Sequence, residues 1–305
     1  MKFLDLFAGI GGFRMGLESF GHECVGFCEI DKFARKSYKA IYDTKGEIEL
    51  HDITKVTNEE WRKFRGTVDI ICGGFPCQAF SIAGKREGFL DETRGTLFFE
   101  IARAAKEIKP PLLFLENVKG LLSHDKGRTF RTILSTLDEL GYDAEWQVLN
   151  SKDFGVPQNR ERVFIIGHLR GAGGRPVFPV GESNIETNDG LKIKIVGNTN
   201  NAGHGQKSAV YSVDGIMGCL TATDYKQPKQ IVVLNKVLGS TQKHCAKDGF
   251  RIRKLTPREC WRLQGFPNWA FDKAQEVNSK TQLYKQAGNS VTVNVIKAIA
   301  ERLGE

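Results

Sequence analysis

The chain has 305 residues, is 40% apolar and 10% aromatic, and carries a net charge of +8. That much apolar side chain excludes a disordered chain, and no apolar run approaches the ~20 residues of a membrane-crossing helix. Seven cysteines, an odd count with no Cys-x-x-Cys pair, and six histidines without ligand spacing argue against a disulfide framework or a zinc site, so no metal is expected. The start, Met1-Lys2-Phe3-Leu4-Asp5, lacks a signal-peptide layout, and a cytoplasmic protein is expected.

In chain order, residues 2–7 form an apolar run that predicts a strand, ending at Ala8-Gly9-Ile10-Gly11-Gly12, with a helix following to about Phe20. Residues 24–28 predict a second strand, ending at Glu29-Ile30-Asp31, and residues 68–72 a third, ending at Gly73-Gly74. Residues 96–108 have amphipathic helical spacing. Residues 112–115 predict a buried strand ending at Glu116-Asn117, residues 129–140 a helix, and residues 162–168 a last strand. This alternation predicts an α/β fold with a doubly wound sheet, in which ligands bind at the carboxyl ends of the strands.

After Arg170 the character changes. Gly171-Ala172-Gly173-Gly174-Arg175-Pro176 reads as a linker. Residues 177–250 are rich in Gly, Asn, Thr and Lys, with β-like pieces at 192–196 and 230–234, and predict a second, smaller β and loop domain. Residues 253–266 regain helical character behind the cap Thr256-Pro257-Arg258-Glu259, and residues 290–303 predict a final helix. The expected division is 1–169, 170–252, a helical hinge at 253–280, and a segment 281–305 that returns to the first domain. Residues 169–280 hold 17 Lys and Arg against 9 Asp and Glu, which accounts for the whole net charge and points to a polyanion.

The glycine loop after the first strand lets backbone approach a ligand closely. Glu29, 17 residues beyond Gly12, ends the second strand, where a carboxylate can accept both hydroxyls of a ribose; Asp52-Ile53 would then lie near an adenine. In Gly73-Gly74-Phe75-Pro76-Cys77-Gln78, Pro76 fixes the backbone before a thiol at the sheet's carboxyl edge, a place for attack as a thiolate. Glu116, ending an apolar strand, could stay protonated there and donate a hydrogen bond. Arg160 and Arg162, at i and i+2 on extended chain, project to one side and could clamp a phosphate or a carbonyl oxygen. Gln286-Ala287-Gly288-Asn289-Ser290-Val291 reads as the turn that starts the final helix.

Together these motifs closely resemble the DNA (cytosine-5)-methyltransferases, especially the compact bacterial and phage enzymes of restriction-modification systems. The glycine loop, Glu29, Pro76-Cys77-Gln78, Glu116-Asn117-Val118, Gln158-x-Arg160-x-Arg162 and Gly288-Asn289-Ser290 occur in the family's order. Arg94-Gly95-Thr96-Leu97-Phe98-Phe99 and Leu255-Thr256-Pro257-Arg258-Glu259 match two further blocks. The resemblance spans residues 1–168 and 251–305 and fades over 169–250, where such enzymes carry their target-recognition domain.

The resemblance implies a catalytic, cofactor-binding first domain and S-adenosylmethionine as cofactor. Phe7, Ala8, Gly9, Gly11, Gly12, Glu29, Ile30, Asp52, Ile53, Pro76, Leu97, Asn289 and Val291 would line its pocket. Many relatives have tryptophan where Ile30 stands, which weakens adenine packing. Cys77 would add to cytosine C6, Glu116 hydrogen-bond N3 and the exocyclic amine, Arg162 hold O2, and Arg160 hold a phosphate or the Cys77 loop. The target base must be flipped out of duplex DNA. Residues 79–95 are the expected lid, Gln78, Ser81, Lys85, Arg86, Lys207 and Thr221 the expected DNA contacts, and Gln206 the residue that fills the vacated space. A monomer is expected, and a cognate restriction endonuclease acting on the same site is a further expected partner.

Two other readings stay open. The tRNA cytosine-5 methyltransferases of this fold carry a Cys-Phe-Thr signature that the chain lacks. A catalytically silent DNA-binding regulator need not keep Cys77, Glu116 and Arg162 together. An exocyclic-amine methyltransferase is disfavoured, because no Asp/Asn-Pro-Pro-Tyr/Phe motif occurs.

Overall fold

A computed structural model describes residues 1–76, 97–181, 192, 194–198, 209–234 and 250–303. The chain divides into two compact units. The first comprises Met1–Leu149, Glu161–Gly181 and Val295–Glu305; the second comprises Asn150–Arg160 and Glu182–Asn294.

The first unit is built on a sheet of seven strands. They are β1 (Lys2–Leu6), β2 (Glu23–Cys28), β3 (Ile48–Leu50), β4 (Ile70–Gly74), β5 (Leu112–Val118), β6 (Tyr142–Asn150) and β8 (Glu161–Leu169), in the order β3-β2-β1-β4-β5-β8-β6. The short β7 (Gln158–Asn159) belongs to the second unit. Neighbours from β3 to β5 are parallel, and β8 runs antiparallel to β5. Phe3, Leu4, Leu6, Ile70, Ile71, Leu113, Phe114, Leu115, Val163 and Ile165 are fully buried, so the central strands β1, β4, β5 and β8 are covered on both faces. The covering helices include α1 (Gly12–Glu18), α2 (Lys32–Ile41), α3 (Asn58–Arg62), α4 (Leu97–Ile108) and α5 (Arg128–Glu139). Their starts are set locally. Asp31 caps α2 by accepting the Phe33 and Ala34 N–H groups, and Thr57 with Glu60 forms a capping box on α3.

The second unit holds a four-stranded sheet of β9 (Ile195–Asn198), β10 (Ala209–Ser212), β12 (Gln230–Leu234) and β13 (Phe250–Lys254), in the order β13-β12-β10-β9. β11 (Met217–Gly218) pairs with β7. Three helices follow, α6 (Pro257–Arg262), α7 (Asn268–Val277) and α8 (Lys280–Asn289). Fully buried Trp261 organises them: its indole packs against Phe266 and Phe271 and donates to the Leu283 carbonyl at 2.9 Å. The last helix, α9 (Val293–Leu303), begins in this unit, and its residues from Val295 onward belong to the first.

The α/β expectation holds, and the differences lie at boundaries. Residues 150–160 group with the second unit and 170–181 with the first, so neither the cut at 169 nor the linker reading matches. The expected hinge at 253–280 is not separate: Arg253 sits in β13, and α6 and α7 belong to the second unit. The reason is pairing, since β12 and β13 are antiparallel neighbours over their full length. β6 went unread although Tyr142, Ala144, Trp146 and Val148 alternate with Asp143, Glu145 and Gln147, a period-2 strand pattern.

Candidate active site

In a doubly wound sheet the ligand crevice lies where the strand order reverses. Here β1 leads outward to β2 and β3, and β4 returns on the other side of β1. The reversal therefore falls between the glycine loop after β1 and the Phe75-Pro76 turn after β4. β4 passes so close that a Cβ on Gly73 would lie 2.3 Å from the Leu6 carbonyl oxygen, which only glycine permits.

The loop after β1 folds back on itself with left-handed backbone at Phe7 (φ 54°), Gly9 (φ 56°) and Gly11 (φ 79°). The Gly11 N–H donates to the Ala8 carbonyl at 2.8 Å. Beside it, the Glu29 carboxylate accepts the Gly9 N–H on one oxygen (2.8 Å) and the Asp31 N–H on the other (2.7 Å). Each oxygen keeps a lone pair for a further donor, the disposition a ribose diol requires. Burial pushes the Glu29 carboxyl above its ordinary value, and the two N–H groups oppose that. Ile30 is 69% exposed, an apolar surface on which a flat ring can lie. The residues present thus fit a nucleoside with two hydroxyls.

The Asp52-Ile53 expectation is sharpened. Asp52 caps a short 3-10 turn by accepting the Thr54 N–H and hydroxyl, bonds that hold its carboxyl below the ordinary range. Ile53 is 4% exposed and joins the core with Trp61 and Phe98, so its side chain is not free for a ligand, and its carbonyl accepts from Arg103 at 3.2 Å. Leu97 opens α4 and packs against the same core.

On the other side of the reversal, β5 continues past its expected end. Glu116 and Asn117 lie within the strand, not beyond it. In the β5–β8 register Glu116 faces Phe164, which makes Arg162 its diagonal neighbour on the same face. The Arg162 Nε meets Glu116 Oε1 at 3.0 Å, with both side chains largely buried. The Glu116 carboxyl therefore has the Arg162 guanidinium beside it, a neighbour that the strand's composition does not reveal. Asn117, 1% exposed, donates from Nδ2 to the Phe75 carbonyl at 2.8 Å and accepts the Val118 N–H on Oδ1 at 2.8 Å. It pins the turn that leads through exposed Pro76 into Cys77. Sequence reasoning assigned Asn117 no role; the available signal was a second polar residue at the buried end of an apolar strand.

Cys77, Gln78, Ser81, Lys85, Arg86, Gln206 and Lys207, and the whole of the expected lid, lie outside the described residues. Among the described cysteines, burial pushes the thiols of Cys24, Cys28 and Cys260 up to about 12 and that of Cys72 well above the ordinary value. These four are packing residues, far from the thiolate a nucleophile needs.

Arg160 is committed to backbone carbonyls, and the Cys77 loop that it is expected to hold lies outside the described residues. Arg160 is 3% exposed, and its guanidinium donates to the carbonyls of Leu220 (3.0 Å), Gly288 (3.3 Å) and Ser290 (2.7 Å) and to the Cys219 sulfur (3.3 Å). A guanidinium so committed is a brace within the second unit. The Arg162 guanidinium meets Glu116. The brace shapes the turn carrying Asn289, which is exposed, and Val291, which is 9% exposed. Asn289 ends α8 and does not start the last helix. The Thr221 hydroxyl donates to Asp224 at 2.6 Å, closing a tight turn. Among the described residues no group of His, Cys, Asp and Glu could hold a metal, and no helix is long and apolar enough to cross a membrane.

Comparison with known proteins is consistent along the whole chain. The family model for C-5 cytosine-specific DNA methylase matches residues 1–214 and 206–305. The type II methyltransferase M.HpaII of Haemophilus parainfluenzae is 39% identical, over 99% of this chain and 89% of that protein. M.HhaI of Haemophilus parahaemolyticus is 36% identical, over 100% and 94%. M1.ScrFI of Lactococcus lactis subsp. cremoris is 41% identical, over 100% and 78%. Among solved structures, the S. pombe Dnmt2 methyltransferase superposes with a TM-score of 0.71 at 21% identity, covering 99% of this chain and 98% of that one, a likeness of fold. The chain belongs to the C-5 cytosine-specific DNA methylases and is an enzyme that methylates carbon 5 of cytosine in DNA.

Proposed function

We propose that the enzyme transfers a methyl group from S-adenosylmethionine to a flipped-out cytosine of duplex DNA through a covalent bond between Cys77 and C6. The observation that carries this reading is the Glu116–Arg162 pair at 3.0 Å, beside the Phe75-Pro76 turn that Asn117 pins and that runs directly into Cys77. Gly74 pairs with Glu116 in the β4–β5 register, so Cys77 follows three residues after the strand position next to the carboxyl.

When bound, the cofactor supplies an electrophilic methyl group. Glu29 and the glycine loop hold and orient it. The Cys77 thiolate forms the bond to C6, and the electron pair moves toward C5, which becomes nucleophilic. A protonated Glu116 carboxyl donating to N3 and the Arg162 guanidinium at O2 stabilise the charge that develops on the ring. After C5 takes the methyl group, loss of its proton expels the Cys77 sulfur and restores the aromatic ring. The flip costs a few kcal/mol of lost stacking, which contacts from the basic region 169–280 offset. As the relatives are named type II methyltransferases, the modification would protect DNA from a cognate restriction endonuclease.

The test uses duplex DNA carrying 5-fluorocytosine, from which C5 cannot lose a proton. Wild-type enzyme with cofactor should be trapped in a covalent DNA complex, and Cys77→Ala should give neither trapping nor radiolabelled methyl transfer. Methyl transfer at the wild-type rate by Cys77→Ala would sink the covalent scheme.

A further inference from the structure

The two halves of the cofactor cradle, the glycine loop and the end of β2, are joined by α2. At its start, the Asp31 N–H donates to the Glu29 carboxylate, and Arg35 donates to the carbonyls of Glu29 (2.7 Å) and Ile30 (2.9 Å). Immediately past its last turn stands Tyr42, 7% exposed. Its hydroxyl donates to the Gly11 carbonyl at 2.7 Å, which also accepts the Met15 N–H at 2.8 Å. A Cβ on Gly11 would lie 2.3 Å from the Tyr42 ring. The ring thus fills the space under the loop, and the loop is shaped to the ring. The ring is held in turn. The Arg14 guanidinium lies 4.5 Å from its centroid and 5.3 Å from that of Tyr38. Arg14 is fixed by two bonds to Glu47 (2.8 and 2.7 Å), one to Glu18 (2.7 Å) and one to the Asp43 carbonyl (3.2 Å).

We infer that Tyr42 is a positioning residue for the cofactor, setting the glycine loop at a fixed height against the Glu29 carboxylate through its hydroxyl and its ring. The inference rests on the cofactor reading above. An ordinary core tyrosine would affect stability alone. A positioning residue affects cofactor affinity while leaving the chemical step intact, because Tyr42 touches no reacting atom.

Tyr42→Phe keeps the ring and removes only the hydroxyl. The experiment measures calorimetric binding of S-adenosylhomocysteine without DNA, and KM and kcat for S-adenosylmethionine with DNA. We expect the dissociation constant and the cofactor KM to rise together by about fivefold, the equilibrium effect of one intramolecular hydrogen bond, with kcat within about twofold of wild type. Binding by Tyr42→Phe as tight as by wild type would overturn the inference and leave the cofactor reading standing. A fall in kcat with unchanged KM would also overturn it. A wild-type chain that binds no S-adenosylhomocysteine would overturn the cofactor reading, and this inference with it.

Discussion

Asn117 shows how one side chain can govern a nucleophile it does not touch. Its amide donates to the Phe75 carbonyl from a position 1% exposed, two residues before Cys77. In Asn117→Ala that carbonyl is left buried without its donor, which costs about 1–3 kcal/mol unless the turn shifts to recover water. The turn is expected to shift, because its next residue, Pro76, is already exposed. We expect single-turnover methylation to slow by about tenfold or more, with S-adenosylhomocysteine binding weakened far less, since Pro76 is on the turn that Asn117 holds while Glu29 and the glycine loop are not. Loss of cofactor binding in that variant would show that Asn117 supports the sheet as a whole. The same scale explains why Glu116 could be found from the sequence while its partner could not. An acid ending an apolar strand is visible in a string of letters. The guanidinium opposite it, 46 positions on, is not, because only the antiparallel register of β5 and β8 brings Arg162 beside it.

At the scale of elements, capping was legible and tertiary pairing was not. Thr256-Pro257-Arg258-Glu259 announces the start of α6, and the capping box forms as expected. The sequence did not announce that Arg253, three residues before the cap, lies in a strand and grips Glu259 through two bonds of 2.8 and 2.6 Å. The Arg253 guanidinium, with help from Thr256, holds the Glu259 carboxyl down at about 2, against an ordinary value of 4.5. The folded state therefore binds this proton more weakly than the unfolded chain, so the interaction stabilises fully above about pH 4.5 and is lost as pH falls toward about 2. Both side chains are about a third exposed, and solvent screening keeps the contribution below about 1 kcal/mol. Glu259→Gln keeps the cap and removes the charge. Chemical denaturation should show a gap from wild type at pH 7 that narrows as pH is lowered through 4.5. A gap that widens on acidification would mean that the pair carries no net stabilisation.

At the scale of the whole molecule, Arg160 ties together residues near 220 and near 290 that the sequence holds far apart. Lysine cannot reproduce a planar fork of donors, so Arg160→Lys leaves buried carbonyls at Gly288, Ser290 or Leu220 without partners. We expect a loss of about 3 kcal/mol in urea denaturation, at about 1–3 kcal/mol per unsatisfied buried group. A near-neutral effect would mean that water or neighbouring amides replace the guanidinium. Charge is the other whole-chain property. If the basic region neutralises six phosphates, the logarithm of DNA affinity should fall with the logarithm of salt at a slope of about −5, measurable by fluorescence anisotropy. A slope near zero would remove that region from the DNA interface.

The sequence by itself determined the family, the order of its motifs, the alternation that makes a doubly wound sheet, and the strand ends where Glu29, Pro76 and Glu116 stand. These are local facts: a glycine loop, a cap or an apolar run has the same meaning wherever the chain folds. Tertiary structure alone decided what each polar side chain faces. It paired Glu116 with Arg162, committed Arg160 to the carbonyls of Leu220 and Ser290, buried Ile53 in the core, and set Tyr42 beneath Gly11. The physical reason is that such contacts join segments distant in sequence, so strand order and register select their partners, and spacing along the chain carries no record of them.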